Sequence, residues 1–258
     1  MMNRRTAIAR GFGPTNVTRD ESPFITGGSM FKTPRYKGFF LAVEGQDGAG
    51  KSTIRAEFDK WFTNQGIKPV LTREPGGTPM AERIRELLLM DTGPDHMCEP
   101  LTFMAETLLF MAARHQHLNV MVNPRLNDGD LIISDRFVDS TFCYQGAGRG
   151  LSINKLIDMH EEVNGRDAYP DLTIILDGEP EFFRDRMIEQ RGDAGMTHFD
   201  RMGMDFHRNC RNLYLHLAKV QPHRYLVVDA MQPIDQVFTQ TIPALMQIDL
   251  HLRKRPSE

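Results

Sequence analysis

Gly45-Gln46-Asp47-Gly48-Ala49-Gly50-Lys51-Ser52 follows the apolar run Phe39-Phe40-Leu41-Ala42-Val43 and precedes a helix-compatible stretch from Thr53 to Gln65. The eight residues spell G-x-x-x-x-G-K-[ST], and their flanks give the string its meaning. A buried strand delivers the chain to a glycine-rich turn whose backbone N–H groups wrap a phosphate. The helix that follows points the positive end of its dipole at the same anion. The Lys51 ammonium would reach the outer phosphates of a nucleoside triphosphate, and the Ser52 hydroxyl would ligate Mg²⁺. Gly45, Gln46, Asp47, Gly48, Ala49, Gly50, Lys51, Ser52 and Thr53 therefore form the expected triphosphate loop. A chance glycine cluster would not come with both flanks correct.

From Phe39 onward apolar runs alternate with amphipathic stretches, the pattern of a parallel sheet covered by helices on both faces. Strands are expected at 39–43, 69–72, 131–134, 172–176 and 225–228, and helices at 52–65, 79–89, 100–122, 152–164, 179–190, 205–219 and 233–251. This predicts an α/β fold, a P-loop NTPase of three α/β/α layers with a five-stranded parallel sheet. No internal repeat or second domain boundary interrupts residues 38–258.

Composition fits one enzyme domain: 258 residues, 40% hydrophobic and 25% charged, are ordinary for a globular α/β chain. A net charge of −3 gives no bulk drive towards nucleic acid or membrane, so neither is expected as a partner. No apolar run approaches the ~18 residues needed to span a bilayer. Cys98, Cys143 and Cys210 are far apart and lack metal-binding spacing, as expected of free thiols in a reducing cytoplasm. Met1 to Lys37 stands apart. It carries Arg4, Arg5, Arg10, Arg19 and Arg35 with little apolar periodicity and no secretory h-region. An Arg-rich, Ser/Thr-containing segment of this kind suits an organellar transit peptide, but a flexible, surface-draped extension is the simpler reading.

Ligands of such sheets bind outside the carboxyl ends of the strands. Four sequences lie there: Thr72-Arg73-Glu74-Pro75-Gly76-Gly77, Ser134-Asp135-Arg136-Phe137, Asp177 and Asp229. Asp135, after Leu131-Ile132-Ile133, is placed to organise Mg²⁺ directly or through water. Arg136 beside it is placed for a phosphate.

Over Phe39 to about Leu252 the chain resembles the thymidylate kinase family. The motifs that carry the resemblance are VEGQDGAGKST (43–53), TREPGGT (72–78), ETLLFMAARHQHL (106–118), SDRFVDSTFCYQGAGRG (134–150), YPDLTIILD (169–177) and VVDAMQP (227–233). Their joint order and spacing, REPGG with DR…ST..YQG.GRG above all, is specific. The resemblance implies ATP as donor, dTMP as acceptor, dTDP as product, Mg²⁺, and a homodimer with the 106–118 helix near the interface. It implies roles as well. Phe110 would stack on thymine while Arg114, one turn on and on the same face, bonds the base. Ser140, Thr141 and Gln145 would touch the nucleotide, and Tyr144 would lie near the sugar. Arg85 and Arg136 would hold the acceptor phosphate, in a pocket bordered by Glu74 and Pro75, and Asp47 would face the reacting nucleotide. On composition alone Phe110 reads as a core residue and Arg85 as a surface one. His115 and His117, two apart, face different sides of a helix and are read as non-ligands.

A mobile lid is expected at about 190–204. The family members with glycine at position 48 supply from the lid the arginine that others carry in the loop. Candidates are Arg184, Arg186, Arg191 and Arg201, with Arg191 first and Arg201 second. Here the chain departs from the family's D-R-[IL]-E: Thr197-His198-Phe199-Asp200 stands in that register, and Asp200-Arg201 is shifted by three. The expected catalytic set is Lys51, Asp47, Arg136, Arg191 and Arg201, with Ser52 and Asp135 on the metal. The competing readings are a kinase for another pyrimidine monophosphate, a deoxynucleoside kinase and a GTPase switch. The last fails because Asn154-Lys155-Leu156-Ile157-Asp158 has one residue too many for the guanine-reading N-K-x-D.

Overall fold

A computed structural model of the chain describes residues 36–90, 99–192 and 196–253. Five strands, β1 (Phe39–Gly45), β2 (Val70–Arg73), β3 (Leu131–Asp135), β4 (Leu172–Asp177) and β5 (Tyr225–Asp229), form one sheet. Its order is β2-β3-β1-β4-β5, and every neighbouring pair is parallel. Because β1 is central and buried throughout, it reads as a nearly continuous apolar run instead of an alternating one.

The helices are α1 (Lys51–Asn64), α2 (Pro79–Leu89), α3 (Phe103–His117), α4 (Asn123–Asp128), α5 (Val138–Thr141), α6 (Ile153–Asn164), α7 (Pro180–Arg191), α8 (Met204–Val220) and α9 (Ile234–Arg253). The period-2 alternation of β1 divides the core in two. Phe39, Leu41 and Val43 pack with Ile54, Phe58, Leu245 and Ile248 of α1 and α9. Phe40 and Ala42 face the other way, towards Phe142, Leu156, Leu213 and Leu217. The three expected layers are present.

Two expectations about elements need correction. The helix predicted over 100–122 starts at Phe103, capped by Thr102, whose Oγ1 accepts from the Ala105 N–H at 3.3 Å. It widens into a π-helical turn at Leu118–Val122 and resumes as α4 to Asp128. Pro124 does not stop it, because it falls in the first turn of α4, where a missing N–H costs little. Gly129, at φ 96°, ends it. Between β3 and α6, where no helix is predicted, α5 runs into a second π-helical turn at Phe142–Gly148. Its buried side includes Thr141 and Gln145, polar residues that hide a helical period.

Register places the site. Val43 pairs with Asp135, and Arg73 pairs with Asp135 from the other side. The phosphate loop, the Asp135-Arg136 pair and the Arg73-Glu74-Pro75 segment therefore leave the sheet together at the carboxyl ends of its strands. The Met1–Lys37 extension lies outside the described residues up to residue 35. Tyr36 donates from its hydroxyl to Asn123 Oδ1 at 3.2 Å. Within the lid range, residues 193–195 also lie outside them.

Candidate active site

Lys51 begins α1 and is buried, and Gly50 before it takes the left-handed φ of 90° that lets the loop turn into the helix. Its Nζ donates to the carbonyl oxygens of Gly45 (3.1 Å) and Gln46 (2.8 Å) and lies 3.5 Å from Asp47 Oδ1. Burial, and then the Arg136 charge, push its pKa down. Its carboxylate neighbour Asp47 is shared with Arg136, which lies closer to it at 2.9 Å. Gln46 turns away from the loop mouth and donates to the His207 carbonyl at 2.6 Å.

Helix α7 lies against this loop. A Cβ at Gly48 would sit 2.4 Å from the Phe183 carbonyl oxygen and 2.9 Å from Met187 Cγ, and φ there is 82°. A side chain at position 48, arginine included, has no room. On the same α7 face Arg186, three residues past Phe183 and half-buried, holds both terminal nitrogens 3.9 Å from where a Gly50 Cβ would be. Backbone of α7 thus fills the space that a side chain at position 48 would take, and Arg186 of the same helix lines the cavity beside the loop.

Across the loop, Arg136 has φ 69°, a left-handed conformation that costs a non-glycine residue about 1–2 kcal/mol. Its own N–H donates to Val43 O at 2.9 Å, and Ser134 Oγ donates to its carbonyl at 2.8 Å, which holds the turn. The side chain, re-aimed into the cleft, donates to Asp47 Oδ1 (2.9 Å), Ser140 Oγ (3.0 Å) and Tyr144 Oη (3.1 Å). Burial opposes its charge, but Asp47, Tyr144, Tyr214 and Glu44 raise its pKa well above the ordinary arginine value.

Glu44, fully buried at the end of β1, accepts from the N–H groups of Phe137 (2.7 Å) and Ser140 (3.2 Å) and from the hydroxyls of Ser140 (2.7 Å) and Tyr214 (2.8 Å). It fastens the turn that aims Arg136. Arg55 of α1 donates to Asp135 Oδ2 at 3.3 Å and to Thr72 O at 2.7 Å. Arg55 lies two residues past VEGQDGAGKST (43–53), and Glu44 lies inside it without a role of its own there. The carboxyl end of the sheet, which gathers them at the loop, is what singles them out.

Arg114 is buried and fully oriented. Its Nε donates to Glu74 Oε2 at 2.7 Å and its Nη2 to Thr141 Oγ1 at 2.9 Å. Glu74 Oε1 lies 2.9 Å from His117 Nδ1, whose other nitrogen is 2.8 Å from Thr72 Oγ1. Burial works against the Glu74 charge, but Arg114 and His117 outweigh it and lower its pKa. His117 is thus a second support of this network, and His115 lies on the exposed side of α3. Arg85 donates to Pro75 O at 2.9 Å; burial, and next the Arg73 charge, lower its pKa.

These groups enclose a cavity of about 410 Å³. Asp47, Gly48, Gly50, Lys51, Ser52, Thr53, Asp135 and Arg186 line its loop side. Arg73, Glu74, Pro75, Arg85, Phe110, Arg114, Arg136, Ser140, Thr141, Tyr144 and Gln145 line the other. Thr197, Phe199 and Asp200 of the expected lid close over it. The Phe199 ring stands 5.7 Å from Tyr144 and 6.3 Å from Phe110. Burial, and then the Asp47 charge, raise the pKa of Asp200.

A family profile for thymidylate kinase matches residues 43–241. A thymidylate kinase of Pseudomonas savastanoi pv. phaseolicola is 42% identical over 84% of this chain and 99% of its own length. One from Pseudomonas fluorescens strain SBW25 is 44% identical over 81% of this chain and 95% of its own. The chain belongs to the thymidylate kinase family. A crystal structure of thymidylate kinase from Ehrlichia chaffeensis superposes with TM-score 0.63 at 30% identity, covering 81% of this chain and 98% of that one.

Of the residues expected at a thymidylate kinase site, most meet in this one cavity. Gly45, Gln46 and Ala49 do not line it. Phe110 is half-buried and faces the cavity, so it is not a plain core residue. Arg201 is exposed on the turn after Asp200 and does not line the cavity. The Arg191 side chain lies outside the described residues. Arg55, Arg73 and Phe199 line the cavity without having been singled out, and Glu44 supports it from beneath.

Proposed function

We propose that the chain transfers the γ-phosphoryl group of ATP to dTMP, giving ADP and dTDP, within this cavity. The observation that carries the reading is its charge layout. Seven lysines and arginines line it against four carboxylates, with Lys51 and Arg186 at the loop and Arg85 and Arg136 across from them. Two phosphate-bearing ligands meeting between these groups would supply the missing anions. A deoxynucleoside acceptor would instead need a base for its 5′-hydroxyl and would leave Arg85 and Arg136 unemployed. Phosphoryl transfer asks the protein for little covalent chemistry; positioning and neutralisation of spread negative charge do most of the work.

Lys51 and the loop backbone hold the donor phosphates. Arg136 and Arg85 orient the acceptor phosphate in line. Phe110 offers its face to the pyrimidine, and Arg114, held by Glu74 and Thr141, directs its remaining donor at a ring carbonyl. Residues 190–204 act as a lid, with Phe199 over the acceptor side to exclude water, which would otherwise take the phosphoryl group. Ser52 and Asp135 are hard oxygen donors on one side of the cavity. They suit Mg²⁺, which takes one or two protein oxygens and completes its shell with phosphates and water. When bound, it would neutralise charge on the donor phosphates; Arg55 fixes the orientation of Asp135.

Exposed Leu108 and Val120, on α3 and just after it, support a second copy of this chain packing there, as in a homodimer. Cys143 and Cys210 are buried free thiols, and burial pushes Cys210 up to about 12, which suits a reducing cytoplasm. Among the described residues no helix is long and apolar enough to cross a membrane.

Two measurements probe this reading away from the chemical step. Phe110→Ala should raise KM for dTMP at least ~10-fold, the scale of a lost apolar pocket contact, while KM for ATP stays within about twofold. A folded variant with unchanged KM for dTMP would remove Phe110 from the base site. A chain beginning at Thr33 should keep kcat and KM within about twofold, or ~0.4 kcal/mol, because every motif lies beyond Phe39. Large loss of activity in a folded, correctly assembled truncation would show that the extension takes part in the site or the assembly.

A further inference from the structure

Glu106 lies in the first turn of α3 and is 3% exposed, yet phosphoryl transfer calls for no buried carboxylate there. Its Oε1 accepts from Gln145 Nε2 at 2.9 Å. Its Oε2 accepts from Arg149 Nη2 at 2.9 Å and lies 3.5 Å from His198 Nε2 of the lid. The two oxygens therefore have separate duties, and the Arg149 and His198 contacts keep the carboxylate from turning. Burial works to raise its pKa, but the bonds from His198 and Gln145 and the charge of Arg149 outweigh it and hold the carboxyl below its ordinary range. Glu106 accepts and has no proton to give.

That constraint passes to Gln145. A glutamine amide has a donor end and an acceptor end. An ionised carboxylate takes only the donor end. Gln145 is 1% exposed and lines the cavity, and among the described residues its amide makes this one hydrogen bond. The acceptor oxygen is left for whatever fills the cavity. Arg114, which bonds Thr141 one turn before Gln145, presents donors to the same space.

We infer that Glu106 is the positioning residue that selects the acceptor's base: by holding the Gln145 oxygen towards the cavity, it makes the site read a ring N–H beside a carbonyl. Thymine and uracil carry that pair. Cytosine places a bare ring nitrogen where the N–H should be and an amino group where the carbonyl should be, so it meets acceptor with acceptor and donor with donor. The inference rests on the dTMP reading above and deepens it by naming what excludes cytosine. A neutral amide at position 106 would show both its ends, leaving the Gln145 amide free to turn over.

The test compares kcat/KM for dTMP and dCMP in the full chain, Glu106→Gln, and the exchanged pair Glu106→Gln/Gln145→Glu, by ADP release at saturating ATP. The unaltered chain should favour dTMP by at least ~10³-fold, since a site built to hydrogen-bond one pattern rejects the other strongly. Glu106→Gln should shrink that ratio at least ~10-fold with KM for ATP within about twofold. The exchanged pair restores a fixed acceptor at position 145 and should regain a ratio within ~10-fold of the original, which keeps the test decisive if the single variant does not fold. Equal losses for both nucleotides in Glu106→Gln, with the ratio intact, would overturn the inference and leave Glu106 a structural residue. A collapsed ratio in the folded exchanged pair would overturn it as well. No preference for dTMP in the unaltered chain would overturn the function reading and this inference together.

Discussion

Lys51→Ala should cut kcat by at least ~10³-fold, at the upper end of what the loss of one charge stabiliser costs. The reason is local. The Lys51 ammonium is held by the Gly45 and Gln46 carbonyls and Asp47 at the start of α1, and burial already lowers its pKa. Such a cation is poised to gain from an arriving phosphate, and alanine leaves the developing charge of the transferring group without its nearest compensation. Because the side chain bonds only its own loop, the variant should fold normally, which circular dichroism would show. Near-normal turnover in a folded variant would remove the phosphate loop from the chemistry.

Arg186→Ala should lower kcat at least ~10²-fold and leave both KM values nearly unchanged, because a transition-state arginine contributes little to ground-state binding. The argument comes from packing. Gly48 has no space for a side chain because Phe183 of α7 covers it, and Arg186 projects from the same face over Gly50. Arg201→Ala should show a smaller fall, since Arg201 is exposed outside the cavity. Arg191→Ala belongs in the same comparison. A larger kcat loss there than in Arg186→Ala would move the role to the end of α7, and no loss in any of the three would end the proposal that the lid supplies an arginine.

The sheet and most helices were legible because their signals are local. The apolar runs of β1, β3, β4 and β5 announce buried parallel strands, and the glycine string at 45–52 can hardly be anything but a phosphate loop. Elements that failed to announce themselves are those whose backbone departs from a 3.6-residue period. The π-helical turn at Phe142–Gly148 buries polar Gln145 beside apolar Phe142, so no amphipathic pattern appears in the string. Residues acting through a second residue were equally hidden. Glu44 reads as the end of a strand and Glu106 as a first-turn helix carboxylate; only the fold shows that one fastens the Arg136 turn and the other the Gln145 amide. Arg186 was one candidate among four, and what favours it over Arg201 is the contact between α7 and the loop, absent from any one-dimensional pattern. The acceptor residues Phe110, Arg114 and Arg85 were named by family resemblance, because composition alone would have made Phe110 core and Arg85 surface, whereas Arg136 stood out already by its place after β3.

Release of ADP from Mg·ATP by the full chain, measured with dTMP, dUMP, dCMP, dGMP and thymidine in turn, tests the central claim most directly. dTMP should give the highest kcat/KM. dUMP, which lacks one methyl group, should follow ~10–200-fold behind, the range of a methyl-sized apolar contact. Thymidine should release no ADP above the rate without acceptor, because Arg85 and Arg136 would have no phosphate to hold in line. Turnover of thymidine equal to that of dTMP, or ADP release that does not depend on any monophosphate, would contradict the account.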